Sequence, residues 1–61
     1  MPIIIVEGGP RSLDQKKELV AVLTKSASVI MNVPEKAFQV YIKENSHDNI
    51  GVGGKLVSEK S

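Results

Sequence analysis

Met1-Pro2-Ile3-Ile4-Ile5-Val6 opens the chain, and the fold turns on how this stretch is read. Ile3 to Val6 is a run of β-branched residues with no polar alternation. Such a run predicts a strand buried on both faces, as in parallel sheets covered by helices or partners. Pro2 heads that strand. Two readings of it stand side by side. In one it merely begins a strand, a place where its missing N–H costs little. In the other, Met1 is trimmed and Pro2 carries a free secondary amine. A reference α-amine titrates at about 7.7–8.0, and an apolar surrounding lowers that value by disfavouring the charged form. A base working near neutral pH is what proton-transfer chemistry needs.

Outward from the strand, Glu7-Gly8-Gly9-Pro10 breaks the apolar run and predicts a sharply bending loop. Ser12-Leu13-Asp14-Gln15 has the form of a capping box: Ser12 accepts from the backbone three residues on and Gln15 reaches back. Asp14 adds a favourable charge in the first turn. A helix is expected from there to about Met31. Leu13, Val20, Leu23, Ala27 and Ile30 form its apolar stripe, widened by Leu19 and Val22. Lys16, Lys17, Glu18, Lys25 and Ser28 fall largely off that stripe. Asn32 suits a left-handed terminator, and Val33 before Pro34 is pushed to an extended conformation.

A second strand is expected over Ala37 to Lys43. Phe38, Val40 and Ile42 share one face, while Gln39, Tyr41 and Lys43 share the other. Strand, helix and strand make a βαβ unit with parallel strands and a right-handed crossover. Glu44 to Asn49 reads as a polar loop. Ile50-Gly51-Val52-Gly53-Gly54-Lys55-Leu56-Val57 reads as a short hairpin turning at Gly53-Gly54. Ser58 to Ser61 reads as a polar tail, mobile unless docked. The fold class is thus α/β (α+β), a small β-α-β unit with a C-terminal hairpin, in a single domain over residues 1–61.

Composition narrows the function. The chain has 61 residues, of which 41% are hydrophobic, with one Phe, one Tyr and no Trp. Burial set against conformational entropy comes out near zero for so short a chain. It has no cysteine, so no disulfide or thiolate metal site supplements the core. His47 is the only histidine, which rules out a His-rich metal site within one subunit. Self-association is the remaining device, and an obligate oligomer is expected. The net charge is +1, with eight Lys and Arg spread among seven acids. No basic stripe or aromatic platform suggests nucleic-acid binding. The apolar opening is too short for a membrane span or a signal segment. A soluble cytoplasmic protein with no membrane partner is expected.

Arg11, the only arginine, follows the glycine loop just before the helix. Its planar fork suits bidentate capture of a carboxylate, although a lone arginine is more often a solvated surface charge. The glycine-rich segment lacks the Gly-Lys-Ser/Thr ending of a phosphate loop and opens no helix, which favours the hairpin. His47 reads as a surface residue. Glu44 and Asp48 could pair, but nothing in their spacing forces them together, and they carry no catalytic weight.

Three segments together resemble the 4-oxalocrotonate tautomerase family. They are the Met-Pro start running into an isoleucine strand, Arg11-Ser12-Leu13-Asp14-Gln15-Lys16-Lys17-Glu18-Leu19, and Ile50-Gly51-Val52-Gly53-Gly54-Lys55-Leu56. With the intervening helix and strand, the resemblance covers nearly the whole chain. It implies a hexamer built as a trimer of dimers. It also implies enol–keto tautomerisation of dienols such as 2-hydroxymuconate, without metal or cofactor, within the breakdown of aromatic compounds. The family's amino-terminal proline base matches Pro2, which carries a proton between the 2-hydroxyl and carbon 5 of the dienol. The family's carboxylate-binding arginine matches Arg11.

Two positions depart from the family pattern. Its second arginine falls at Gln39, which donates a hydrogen bond without charge. Its aromatic residue before the glycine run falls at Ile50, which with Val52 keeps the wall apolar. A charged hydrogen bond contributes roughly 1.5–3 kcal/mol, so the change at Gln39 corresponds to about one to two decades in rate. Lys36 or Lys43 of a neighbouring subunit are candidates to supply the missing charge. Both departures open the substrate question. Related activities of the superfamily, such as decarboxylation, hydration or dehalogenation of other acids, become alternatives. A non-catalytic oligomeric binding module is a third, if Met1 stays attached.

Overall fold

The computed structural model describes residues 2–59. Strand β1 runs over Ile3–Gly8, helix α1 over Leu13–Met31 and strand β2 over Gln39–Glu44. β1 and β2 pair in parallel, with Ile3 opposite Gln39 and Gly8 opposite Glu44. A hairpin follows, made of β3 (Gly51–Val52) and β4 (Lys55–Leu56). Short 3-10 turns lie at Glu35–Ala37, His47–Asn49 and Val57–Glu59. The expected β-α-β order with a terminal hairpin is therefore what the chain adopts.

Local chemistry sets the element ends. The Gln15 N–H donates to Ser12 Oγ and the Ser12 N–H donates to Gln15 Oε1, both at 3.1 Å, so the capping box is complete. Asn32 ends the helix in the left-handed region at φ 57°, and the Val33 N–H returns to the Ser28 carbonyl. In the hairpin, Gly53 and Gly54 take φ of 62° and 86°. Two successive positive φ values match the right-handed twist of the flanking strands, and glycine adopts them without steric cost.

Three expectations are corrected. The second strand starts at Gln39, because Glu35–Ala37 closes a 3-10 turn through bonds from the Ala37 and Phe38 N–H groups. Ser58 and Glu59 belong to the last 3-10 turn, not to a tail, and the Leu56 N–H donates to Glu59 Oε1. The rest of the expected tail, Lys60 and Ser61, lies outside the described residues. The covered part of the helix is also shorter than the expected stripe. Lys16, Leu19, Val20, Leu23, Thr24, Ala27 and Ser28 form the half-buried side, whereas Leu13 is 65% and Ile30 82% exposed. The reason is length. Nineteen helical residues span about 28 Å, while a six-residue strand spans roughly 20 Å, so the helix ends overhang the sheet. Lys16 turns inward to meet Glu44, and the Ser28 hydroxyl donates to the Val33 carbonyl.

The core is one-sided. Ile4 and Val6 of β1, with Val40 and Ile42 of β2, are half-buried on the helix side. Ile3, Ile5 and Tyr41 on the other side stay about half exposed, beside Gln39 and Lys43. The expectation that Ile3 to Val6 is buried on both faces is met on one face within a single chain. No described residue is fully buried. The hairpin packs mainly on its neighbouring 3-10 turns and projects from the body. The radius of gyration is accordingly 15.0 Å, against about 10.5 Å for a compact chain of this length. No described helix is long and apolar enough to cross a membrane.

Candidate active site

Pro2 is half-buried at the head of β1, where its carbonyl accepts the Gln39 N–H at 3.1 Å. The parallel register thus puts Pro2 and Gln39 at the same end of the sheet. Gln39 itself faces the open side, and the Tyr41 hydroxyl donates to its Oε1 at 3.1 Å. With the oxygen engaged, the amide N–H groups are left as the donors available to a ligand. The removal of Met1 concerns a residue outside those described.

Arg11 lies beyond the opposite end of β1. Roughly 20 Å of strand separates it from Pro2 within one chain. Its backbone N–H donates to Glu44 Oε2 at 2.9 Å, and Lys16 Nζ donates to Glu44 Oε1 at 3.1 Å. This is an ion pair between side chains about 30% exposed, and it ties the end of β2 to the first turns of α1. The Arg11 N–H, followed by Lys16, holds the Glu44 carboxyl below its ordinary value. Arg11 Nη1 donates to the Pro10 carbonyl at 2.9 Å and the Gly9 carbonyl at 3.4 Å. These bonds aim the guanidinium, while no described carboxylate neutralises it.

The polar turn after β2 lies at the Arg11 end. The Asn45 N–H donates to the Gly8 carbonyl, and His47 comes close to Gly9. The turn leads into the hairpin carrying Ile50 and Val52. Ile50 is half-buried and accepts the Val57 N–H, whereas Val52 is 53% exposed. The five candidate residues therefore form two groups, Pro2 with Gln39 at one end and Arg11 with Ile50 and Val52 toward the other. Lys43 stands on the open sheet face opposite Glu7, and Lys36 is exposed on a 3-10 turn. Two surface hollows flank α1, one lined by Gln15, Glu18, Leu19 and Val22 and the other by Leu13, Lys16, Lys17 and Val20. None of these eight residues is among the five.

Glu44 is the participant that sequence reasoning missed. The signal existed only in the register, because Glu44 reaches Arg11 through its pairing with Gly8, some thirty positions away in the chain. Asp48 does not share this role.

Comparison with known proteins places the chain in a family. The family described as "tautomerase enzyme" matches over residues 2–60. A probable tautomerase of Bacillus cereus is 38% identical over 63 residues, covering 98% of this chain and 100% of that protein. A crystal structure of a 4-oxalocrotonate tautomerase homologue superposes with a TM-score of 0.91 at 32% identity, over 100% of this chain and 98% of that one. A heterohexameric 4-oxalocrotonate tautomerase from Chloroflexus aurantiacus is 28% identical with a TM-score of 0.80, over 100% and 98% of the two chains. The chain belongs to the tautomerase family and has the fold of its 4-oxalocrotonate tautomerase members.

Proposed function

We propose that this chain is an isomerase that interconverts enol and keto forms of 2-hydroxymuconate-like unsaturated acids, with Pro2 as base once Met1 is removed. The observation that carries the reading is the position of Pro2 at the head of β1 in a chain of this family. The Pro2 amine takes the proton of the 2-hydroxyl and returns it to carbon 5, so no net proton is gained or lost. Arg11 holds a substrate carboxylate and stabilises the negative charge that develops during transfer. Ile50 and Val52 supply an apolar wall that keeps the amine pKa low.

The placement of Pro2 and Arg11 beyond opposite ends of β1 supports a site shared between subunits. Pro2 and Arg11 of one chain stand too far apart to touch one small acid, so Pro2 of one subunit works with Arg11 of another. The half-exposed Ile3, Ile5 and Tyr41 offer the apolar surface for such contacts. A homohexamer built from three dimers, as the resemblance implies, satisfies both requirements.

The test is turnover of 2-hydroxymuconate by protein whose intact mass shows Met1 removed. Pro2→Ala is expected to lower kcat by about two decades or more, the usual scale of general acid–base catalysis. An unchanged rate removes Pro2 from the base role. A retained Met1 in the native protein favours a non-catalytic binding module instead.

Gln39 supports a second reading. Its neutral amide, held by Tyr41, suits a substrate with a carbonyl or other uncharged acceptor at that end. Decarboxylation, hydration or dehalogenation of such an acid uses the same proline, and a substrate panel with product analysis separates these reactions.

A further inference from the structure

Gln39 and Tyr41 alternate with Val40 on β2 and so share its open face, roughly 6.6 Å apart along the strand. Their backbone is held by the parallel register. The Gln39 N–H donates to the Pro2 carbonyl at 3.1 Å, and Tyr41 stands opposite Ile5. The side chains are then tied to each other, because the Tyr41 hydroxyl donates to Gln39 Oε1 at 3.1 Å. A phenol is a better donor than acceptor, since its oxygen lone pairs are drawn into the ring, and an amide oxygen is a good acceptor. The bond therefore decides which way the amide faces. Its oxygen turns toward Tyr41, and its nitrogen has no hydrogen-bond partner among the described residues. Tyrosine has fewer side-chain torsions than glutamine and serves as the stiffer anchor of the pair.

We propose that Tyr41 is a positioning residue that acts through Gln39, presenting the amide N–H groups to an uncharged carbonyl at the far end of the substrate and so setting a preference for unsaturated acids that carry one. The proposal rests on the second reading above, in which Gln39 meets an uncharged acceptor; Tyr41 itself touches no substrate atom. Two effects follow from the tether. Rotamer freedom is removed before binding, so less is lost when Gln39 meets its ligand. The amide oxygen is also withheld, so a substrate end with no acceptor leaves the N–H groups unpaired as water is displaced. Ile3 and Ile5, each 55% exposed on the same sheet face, favour an uncharged group there over a second carboxylate.

The test is calorimetric titration of the whole, Met1-processed protein with two ligands, trans,trans-muconate monomethyl ester and sorbate. Both have one carboxylate on the same diene and no enol to react, and only the ester has a carbonyl at the far end. The wild type is expected to bind the ester about fivefold tighter than sorbate. Tyr41→Phe, which keeps the half-exposed ring and removes the hydroxyl, is expected to cut that ratio to about twofold with sorbate affinity unchanged. Gln39→Leu is expected to abolish the ratio, and adding Tyr41→Phe to Gln39→Leu to change nothing further, because Tyr41 acts through Gln39. In ligand-free protein the order parameter of the Gln39 side-chain amide, measured by NMR, is expected to fall below about 0.6 in Tyr41→Phe. Circular dichroism melts check that each variant folds. An ester preference that depends on Gln39 but survives Tyr41→Phe overturns the proposal and leaves the reading of Gln39 standing, and an amide that stays ordered in Tyr41→Phe does the same. A wild type with no ester preference removes both. An equal loss for ester and sorbate in Tyr41→Phe marks a merely structural effect and also overturns the proposal.

Discussion

At the scale of single residues, Glu44 links stability to the site. It receives both the Arg11 N–H and the Lys16 ammonium, and these hold its pKa below the ordinary 4.5. A depressed folded-state pKa stabilises the fold above the unfolded value and loses that contribution as pH falls through the folded value. Wild type is therefore expected to melt higher than Glu44→Gln above about pH 5, with the two curves converging as pH drops below 4.5. Melting curves across that range check this, and a gap that persists into strong acid counts against the ion pair as its source. Glu44 is exposed enough for solvent screening to keep the effect modest. Its second consequence is positional: the bond to the backbone of Arg11 sets where the helix entry begins, and hence where the guanidinium stands.

At the scale of elements, the capping box is the most exposed dependency. Ser12→Ala removes the acceptor for the Gln15 N–H and is expected to cost about 1 kcal/mol, measured by denaturant unfolding. The loss falls beside Arg11, so a matching rise in KM would show that the cap also aims the guanidinium. Features made by neighbours in sequence were legible from the residues alone. Ser12 with Gln15, Asn32 after the helix, and Gly53-Gly54 in the hairpin each act within a few positions. Features made by register were not. Lys16 looked like an outward charge because nothing local reveals that β2 ends in Glu44 beneath it. Leu13 and Ile30 looked like core because the stripe does not disclose that the sheet is shorter than the helix. The residues of the candidate site were nameable, but the grouping of Gln39 with Pro2 at one end of the sheet needed the parallel register that sets Ile3 opposite Gln39.

At the scale of the whole molecule, the single chain is incomplete as a folded unit. It has no fully buried described residue, an apolar sheet face half open, and a hairpin reaching away from the body. On the proposed self-association, contacts with other chains cover that surface, and melting temperature is then expected to rise with protein concentration. The division of the site yields a sharper expectation. Pro2→Ala and Arg11→Ala chains, each inactive alone, are expected to regain measurable tautomerase activity when unfolded together and reassembled. Mixed assemblies then contain sites that pair an intact Pro2 with an intact Arg11. Activity that stays at the level of the separate variants after verified mixing would place both residues of each site in one chain.

The distance between Pro2 and Arg11 also bears on inheritance. If, as proposed, each chain lends the two ends of β1 to different sites, a gene copy that loses the proline still yields a subunit useful to its sibling. Duplicated copies are then free to diverge, one keeping the base and the other refining the end that receives the acid. A damaged allele in a mixed population of chains silences some sites and completes others. On that proposal selection acts on pairs of strand ends, and no single chain is the unit that is either active or dead.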